Sequence, residues 1–411
     1  MRRILGCLIV LSLMVSCSNE TPKPKPPVPP KLILKKVQEK KVIVQGVWVT
    51  VFSKEKVLYS KAAVLKLLAF CKENHLQEIY LQIFRAGESY YDSKMSKKDE
   101  YVRMTKTMGQ DPVDFLLSEA KRNGVKVYAW VNVLSLAQNK NAPILNKYGK
   151  SVLTRDKKLR SSIKTEDCND SDKFYLRDDQ LFLEPGDERV SDYILNIVDD
   201  IIARYPSLSG LHLDYVRYPY PVPYIPDSRF IDYGISYGFG EKSLSRFKAE
   251  VGHDPSKEDV YDHDLYLLWD AWKRKQVTDL VARISARVRE KASSWRLSCA
   301  VVAGIERAYS IAFQDWELWI QKKLVDYVVL MNYTRDSRLF YQITKAGLNQ
   351  EDRQKIYVGL GVFVFKNTRE FALTYSLAKE LSPGGILFFS YDDYLSMHSK
   401  IMKEIQTVDI K

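Results

Sequence analysis

The chain has 411 residues and a formal charge of +12, from 63 Lys and Arg against 51 Asp and Glu. Its basic residues are dispersed among acids, as in Lys273-Arg274-Lys275 and from Arg283 to Lys291, which is a solvated basic surface and argues against a nucleic-acid partner. The five cysteines show no spacing for zinc or for a disulfide framework, so neither a metal nor another cofactor is expected.

In chain order, residues 1–16 read as a signal peptide. Arg2-Arg3 form its basic end, and Ile4 to Val15 form an apolar core too short to span a bilayer. Leu13-Met14-Val15-Ser16-Cys17 resembles a bacterial lipobox, so Cys17 is the expected lipid-bearing N-terminus. Ser18 stands where an inner-membrane retention signal would have Asp, which favours the outer membrane, facing the periplasm. Residues 17–41 include Thr21-Pro22-Lys23-Pro24-Lys25-Pro26-Pro27-Val28-Pro29-Pro30, where proline excludes helix and sheet and favours a stiff polyproline II tether. Residues 42–411 contain no second linker and are expected to form one domain.

Within that domain, short apolar runs alternate with amphipathic helices. The runs are Val42–Val51, Glu78–Phe84, Val125–Val133, the stretch opening at Gly210, Trp295–Gly304, Asp326–Tyr333, Lys355–Val362 and Ile386–Asp393. Asp111-Pro112 marks one helix start, with Asp as cap and Pro in the first turn. Val190, Ile194, Ile197, Val198 and Ile201 give the clearest helical stripe. Long insertions follow strand three, from Ser135 to Leu183, and strand four, from Arg217 to about Asp262. Eight such units with strands apolar on both faces predict an α/β fold, a closed (β/α)8 TIM-type barrel. An open dinucleotide-binding sheet is excluded, because Thr50-Val51-Phe52-Ser53 replaces the Gly-rich loop it needs.

The active rim of such a barrel lies at the C-terminal strand ends. Residues expected there are Trp48, Arg85, Glu88, Asn132, Glu184, His212, Asp214, Arg217, Tyr220, Glu306, Asn332, Tyr333, Tyr391 and Asp392. This set lacks a Gly-x-Ser-x-Gly elbow and a Schiff-base lysine, and its carboxylates, amides and aromatics suit glycoside hydrolysis. Asp214 and Glu306 follow consecutive strands, and parallel neighbours lie roughly 4.8 Å apart, close to the roughly 5–5.5 Å of a retaining carboxylate pair. Asp214 is therefore the expected nucleophile, with Arg217 and His212 as stabilisers of its charge, and Glu306 the expected general acid. Glu184 and Glu88 are the alternatives for the acid. Tyr220, Tyr224, Tyr233 and Tyr237 fall where Pro and Gly break every period, which suggests a wall or lid that stacks on sugars.

Several pieces, in order, resemble the glycosyl-hydrolase-like family ten of envelope lipoprotein glycosidases. They are Gly46-Val47-Trp48-Val49-Thr50, Asp111-Pro112-Val113-Asp114-Phe115-Leu116, Val127-Tyr128-Ala129-Trp130-Val131-Asn132, Pro185-Gly186, Gly210 through Pro219, Asp315-Trp316 with Trp319, and Asp326-Tyr327-Val328 to Tyr333. The resemblance implies a TIM-type barrel with an acid ending strand four, here Asp214, acting on cell-wall glycan, peptidoglycan strands lacking stem peptides. It departs where the family has tandem acids, since Tyr215 follows Asp214, and where the family has Asn before Pro-Gly, since Glu184 stands there. A glycan-binding lipoprotein without turnover and a transglycosylase are the other readings of the same site.

Overall fold

A computed structural model describes residues 43–163, 178–223, 233–257, 262–349 and 352–408. The signal peptide, Cys17, the proline-rich tether and Tyr224 lie outside these residues, and of Tyr233 only the backbone is described. Eight strands form the core: β1 Val44–Val49, β2 Glu78–Arg85, β3 Lys126–Asn132, β4 Gly210–Asp214, β5 Arg296–Val302, β6 Tyr327–Met331, β7 Ile356–Gly361 and β8 Gly385–Phe389. Each pairs in parallel with the next, and β8 pairs with β1, so the sheet closes. This is the expected (β/α)8 barrel. Closure leaves no edge with unpaired N–H and C=O groups, and parallel strands buried on both faces must be apolar almost throughout.

Helices start where the sequence places caps. The Asp111 carboxylate accepts the N–H groups of Val113 and Asp114 at the head of the helix Pro112–Arg122. Asp187 does the same for Arg189 before the helix Glu188–Arg204, whose Val190, Ile194, Ile197, Val198 and Ile201 are fully buried against the barrel. Side chains alternate along each strand, so one set points outward to the helices and the other into the barrel.

The inward set is aromatic at its base. Tyr80 donates to Glu78 at 2.6 Å and shares a 2.7 Å hydroxyl contact with Tyr327, while Tyr128 donates to Glu78 at 3.1 Å. Arg296 reaches Glu78 at 3.6 Å and lies over the Tyr327 ring at 4.2 Å. The buried carboxylate is thus paired and hydrogen-bonded, the condition for keeping a charge away from water. Gly210 is required here: a Cβ at that position would meet the Arg296 carbonyl oxygen at 2.0 Å.

Both long insertions carry structure. After β3, Ser135–Ala137 pairs antiparallel with Leu181–Phe182. After β4, Val222–Pro223 pairs with Tyr233–Ile235, and the helices Glu241–Val251 and His263–Lys291 follow. Trp269 and Trp272 stack at 5.2 Å beneath Phe239 and Phe247, giving that insertion its own aromatic core.

Candidate active site

Register sets the levels of the site. His212 lies opposite Trp130, and Asp214 opposite Asn132, one inward layer nearer the mouth. At Asp214 the strand ends, and Tyr215 turns the chain with φ 53°. That left-handed residue aims its own N–H back at Asp214 Oδ1, at 2.7 Å. Trp130 Nε1–H donates to Oδ2 at 3.1 Å from the neighbouring strand. Both donors favour the ionised carboxylate, yet burial outweighs them and pushes the Asp214 carboxyl up to about 6. The result is a nearly enclosed acid, at 7% exposure, held in one orientation at the C-terminal mouth of the barrel.

An aromatic band borders it. Phe389, the last inward residue of β8, meets Trp130 edge-on at 6.2 Å and stacks on Tyr333 at 5.6 Å and 21°. Phe363, more than half exposed, meets Phe389 edge-on at 6.0 Å. Burial and the nearby Asp214 charge raise the Tyr333 hydroxyl well above its usual pKa, so it stays a neutral donor. Asn132 completes this level, its Oδ1 accepting from Gln82 Nε2 at 3.1 Å. Planar rings beside a fixed carboxylate are suited to holding a sugar ring and attacking its anomeric carbon.

Other expected site residues take different places. His212 is wholly buried: Trp48 Nε1–H donates to its Nε2 at 3.1 Å, and Nδ1 faces Ser298 Oγ at 2.9 Å. Burial lowers its pKa to about 3, so it is neutral with the proton on Nδ1 and does not stabilise the Asp214 charge as expected. Trp48, 2% exposed, is likewise part of the barrel core and presents no face to a substrate. Arg217 gives both guanidinium ends to Asp178, at 3.1 and 3.2 Å, and stacks on Tyr220 at 3.9 Å. Its charge favours ionised Asp214, while its hydrogen bonds go to Asp178 and the Tyr218 carbonyl. Tyr220 is half-buried beneath that stack, and Tyr237 is buried, so neither forms an open stacking wall.

Glu184 is also enclosed. Its Oε1 accepts from the Tyr218 hydroxyl at 2.8 Å and its Oε2 from Gly240 N–H at 3.2 Å, so it ties the two insertions together. Asn332 points outward and donates to Phe340 O and Thr344 Oγ1, both at 3.0 Å. β8 ends at Phe389, before Tyr391 and Asp392, which begin the helix Tyr391–Val408. Tyr391 therefore packs on Phe70 outside the barrel, at 5.5 Å, while Asp392 accepts from Ser53 Oγ and Lys54 N–H at 2.6 and 2.8 Å. Arg85 and Glu88 line a cavity of about 630 Å³ on the β1 and β2 loops with Phe52 and Tyr90, Arg85 lying 4.7 Å over the Phe52 ring.

Glu306 departs from the strand-end picture. β5 stops at Val302, and Glu306 sits exposed in the first turn of the helix Ile305–Ser310. Cys299 pairs with Leu213, so the β5 residue level with Asp214 is Ala300. Strand spacing therefore does not set the distance between the Asp214 and Glu306 carboxylates. Trp130 and Phe389 were the residues absent from the expected set. Trp130 shares its strand face with Asn132, a parity visible in the sequence, whereas the reach of Phe389 across the mouth depends on barrel closure. Among the described residues, no group of three or more His, Cys, Asp or Glu side chains is placed to hold a metal.

The fold is a TIM barrel, and the family match below makes the chain a glycoside hydrolase. Residues 43–372 match the profile of the glycosyl hydrolase-like 10 family, and the chain belongs to that family. It is 22% identical over 330 residues to the glycosyl hydrolase DigH of Escherichia coli strain K12, covering 74% of this chain and 67% of that protein. It is 21% identical over 290 residues to the glycosyl hydrolase YngK of Bacillus subtilis strain 168, covering 66% of this chain and about half of that longer protein, 49%. Among solved structures, the fold is similar to the glycoside hydrolase domain of PgaB (BpsB) from Bordetella bronchiseptica. That match has a TM-score of 0.61 at 16% identity and covers 86% of this chain and 96% of the other.

Proposed function

We propose that the chain hydrolyses glycosidic bonds of cell-wall glycan, namely peptidoglycan strands lacking stem peptides, while anchored by a lipid on Cys17 to the periplasmic face of the outer membrane. The observation that carries the chemistry is Asp214, fixed at the barrel mouth with an N–H donor on each oxygen and an aromatic band beside it. The lipobox and tether of the sequence support the location, and an envelope anchor makes envelope glycan the nearest polysaccharide.

In this reading Asp214 attacks the anomeric carbon as a carboxylate, and the leaving oxygen takes a proton from a second acid. Glu306 is the candidate, because it is exposed in the first turn of the helix after β5 and its carboxylate forms no ion pair among the described residues. The same group then accepts a proton from the water that releases the glycosyl-enzyme. The test is to incubate the full chain with amidase-treated sacculi and measure new reducing ends. Wild type releases fragments and Asp214→Asn releases none. Equal release by the two would exclude the mechanism, and shortened plus lengthened products together would point to transfer rather than hydrolysis.

A further inference from the structure

The cavity on the β1 and β2 loops, of about 630 Å³, lies at the same end of the barrel as Asp214. Strand register places it more closely. Phe84 of β2 pairs with Val131 of β3, which pairs with Leu213 of β4, and Asn132 pairs with Asp214. Arg85, the next residue of β2 and part of the cavity wall, is therefore level with Asp214 and two strands away. At roughly 4.8 Å per strand spacing, their backbones are about 10 Å apart. Two hydrogen bonds bridge that interval. Val51 N–H, in the cavity wall, donates to Gln82 Oε1 at 3.3 Å, and Gln82 Nε2 donates to Asn132 Oδ1 at 3.1 Å.

The lining is suited to a neutral polar ring. Phe52 is 63% exposed although Arg85 lies over it at 4.7 Å and Tyr90 meets it at 6.4 Å and 81°, so most of the ring is open to solvent. Asp99, Arg103 and Gln138 are also exposed on the rim, whereas Arg85 and Glu88 are half-buried. Arg103 is paired with Glu100, which also accepts from the Tyr59 hydroxyl. Arg85 and Glu88 face each other across a hairpin, yet among the described residues neither forms an ion pair. With Asp99 beside them the unpaired charge of the cavity is slightly negative, which disfavours an anion. A donor and an acceptor held close together suit a group that offers both, such as an acetamide, and an exposed ring suits the C–H face of a sugar. The volume is within the range of ligand sites, roughly 300–1,000 Å³.

We infer that this cavity is a remote subsite holding a neutral, acetamido-bearing sugar of the glycan against Phe52, while Asp214 acts on another unit of the same strand. This rests on the function proposed above. Glu88 accepts the acetamido N–H, and Arg85 donates to its carbonyl. The two sugars of peptidoglycan alternate, and only one of them carries a carboxylate-bearing lactyl group. Holding the neutral one at a fixed place along the mouth therefore sets which of the two linkages meets Asp214.

The test measures binding to the full chain with Asp214→Asn, so that no turnover intervenes. The ligands are peptide-free peptidoglycan oligosaccharides from disaccharide to octasaccharide, and N-acetylglucosamine oligomers of the same lengths, which carry no carboxylate. Affinity is expected to step up at the length that reaches from Asp214 to the cavity, in both series. Adding Phe52→Ala, which removes a mostly exposed ring, should cut the ratio of octasaccharide to disaccharide affinity about tenfold. Adding Arg85→Gln or Glu88→Gln should reduce the same ratio, and circular dichroism checks folding. An unchanged ratio in Phe52→Ala, or equal loss at every length, would overturn the inference. A length step confined to the carboxylate-bearing series would overturn the assignment to a neutral sugar. A length step that depends on Phe52, with no fragments released from amidase-treated sacculi by wild type, would overturn the parent reading and leave the subsite standing.

Discussion

At the scale of single residues, Asp214 is held between opposing influences. Burial raises its pKa, while Trp130, Tyr215 and the Arg217 charge lower it, for a balance near about 6. In the proposed mechanism it attacks only when ionised, so activity is expected to rise as pH increases through about 6. Trp130→Phe removes a donor to the charged form and should move that acidic limb to higher pH, a shift readable in kcat/KM profiles. A limb that stays in place would show that the indole does not tune the acid. His212 works in the opposite sense on stability. Its folded pKa, about 3, is below the ordinary 6.5, so the unfolded chain binds the proton more readily. The stability it permits is complete above about 6.5 and is lost as pH falls from there toward 3. His212→Leu leaves Trp48 Nε1 and Ser298 Oγ without a partner in the core, and should cost about 2 kcal/mol in urea unfolding at neutral pH.

At the scale of elements, β4 shows what alternation can and cannot reveal. That Gly210 to Asp214 is a strand, with His212 and Asp214 on one face, follows from period two alone. Where strands stop does not. Ile386 to Asp393 reads as one apolar-to-acidic run, yet β8 ends at Phe389 and a helix begins at Tyr391, which removes Tyr391 and Asp392 from the rim. The same shortening puts Glu306 on a helix. Local pattern cannot decide such ends, because a capping Asp and a rim Asp look alike until the next element packs. Glycine matters at the β4–β5 contact, where backbone meets backbone. Gly210→Ala should separate these strands at Arg296 and lower the thermal midpoint by several degrees, as followed by circular dichroism. Glu184 binds elements from two insertions, so Glu184→Ala should make the segment after β4 more sensitive to limited proteolysis, while Glu184→Gln, which keeps the acceptor for Tyr218, should be milder.

At the scale of the whole molecule, the proposed anchor and the barrel are separable in function. Cys17→Ala should move the chain from the membrane fraction to the soluble fraction without changing the turnover of soluble glycan oligosaccharides, since the proposed lipid acts on location and not on chemistry. Persistent membrane attachment of that variant would remove the lipid from the account. The sequence by itself determined the number of barrel strands, the helices that cover them and the acid that ends strand four, because each depends on local periodicity, caps and turn residues. It also carried the family. Tertiary structure alone decided which polar residues belong to the site. Trp48, His212, Glu184 and Asn332 are polar or aromatic at strand or loop positions near the rim, and barrel closure buries them or turns them outward. Trp130 and Phe389 join Asp214 because strands distant in sequence converge at one mouth, and inward direction and depth are properties of the closed sheet rather than of any one strand.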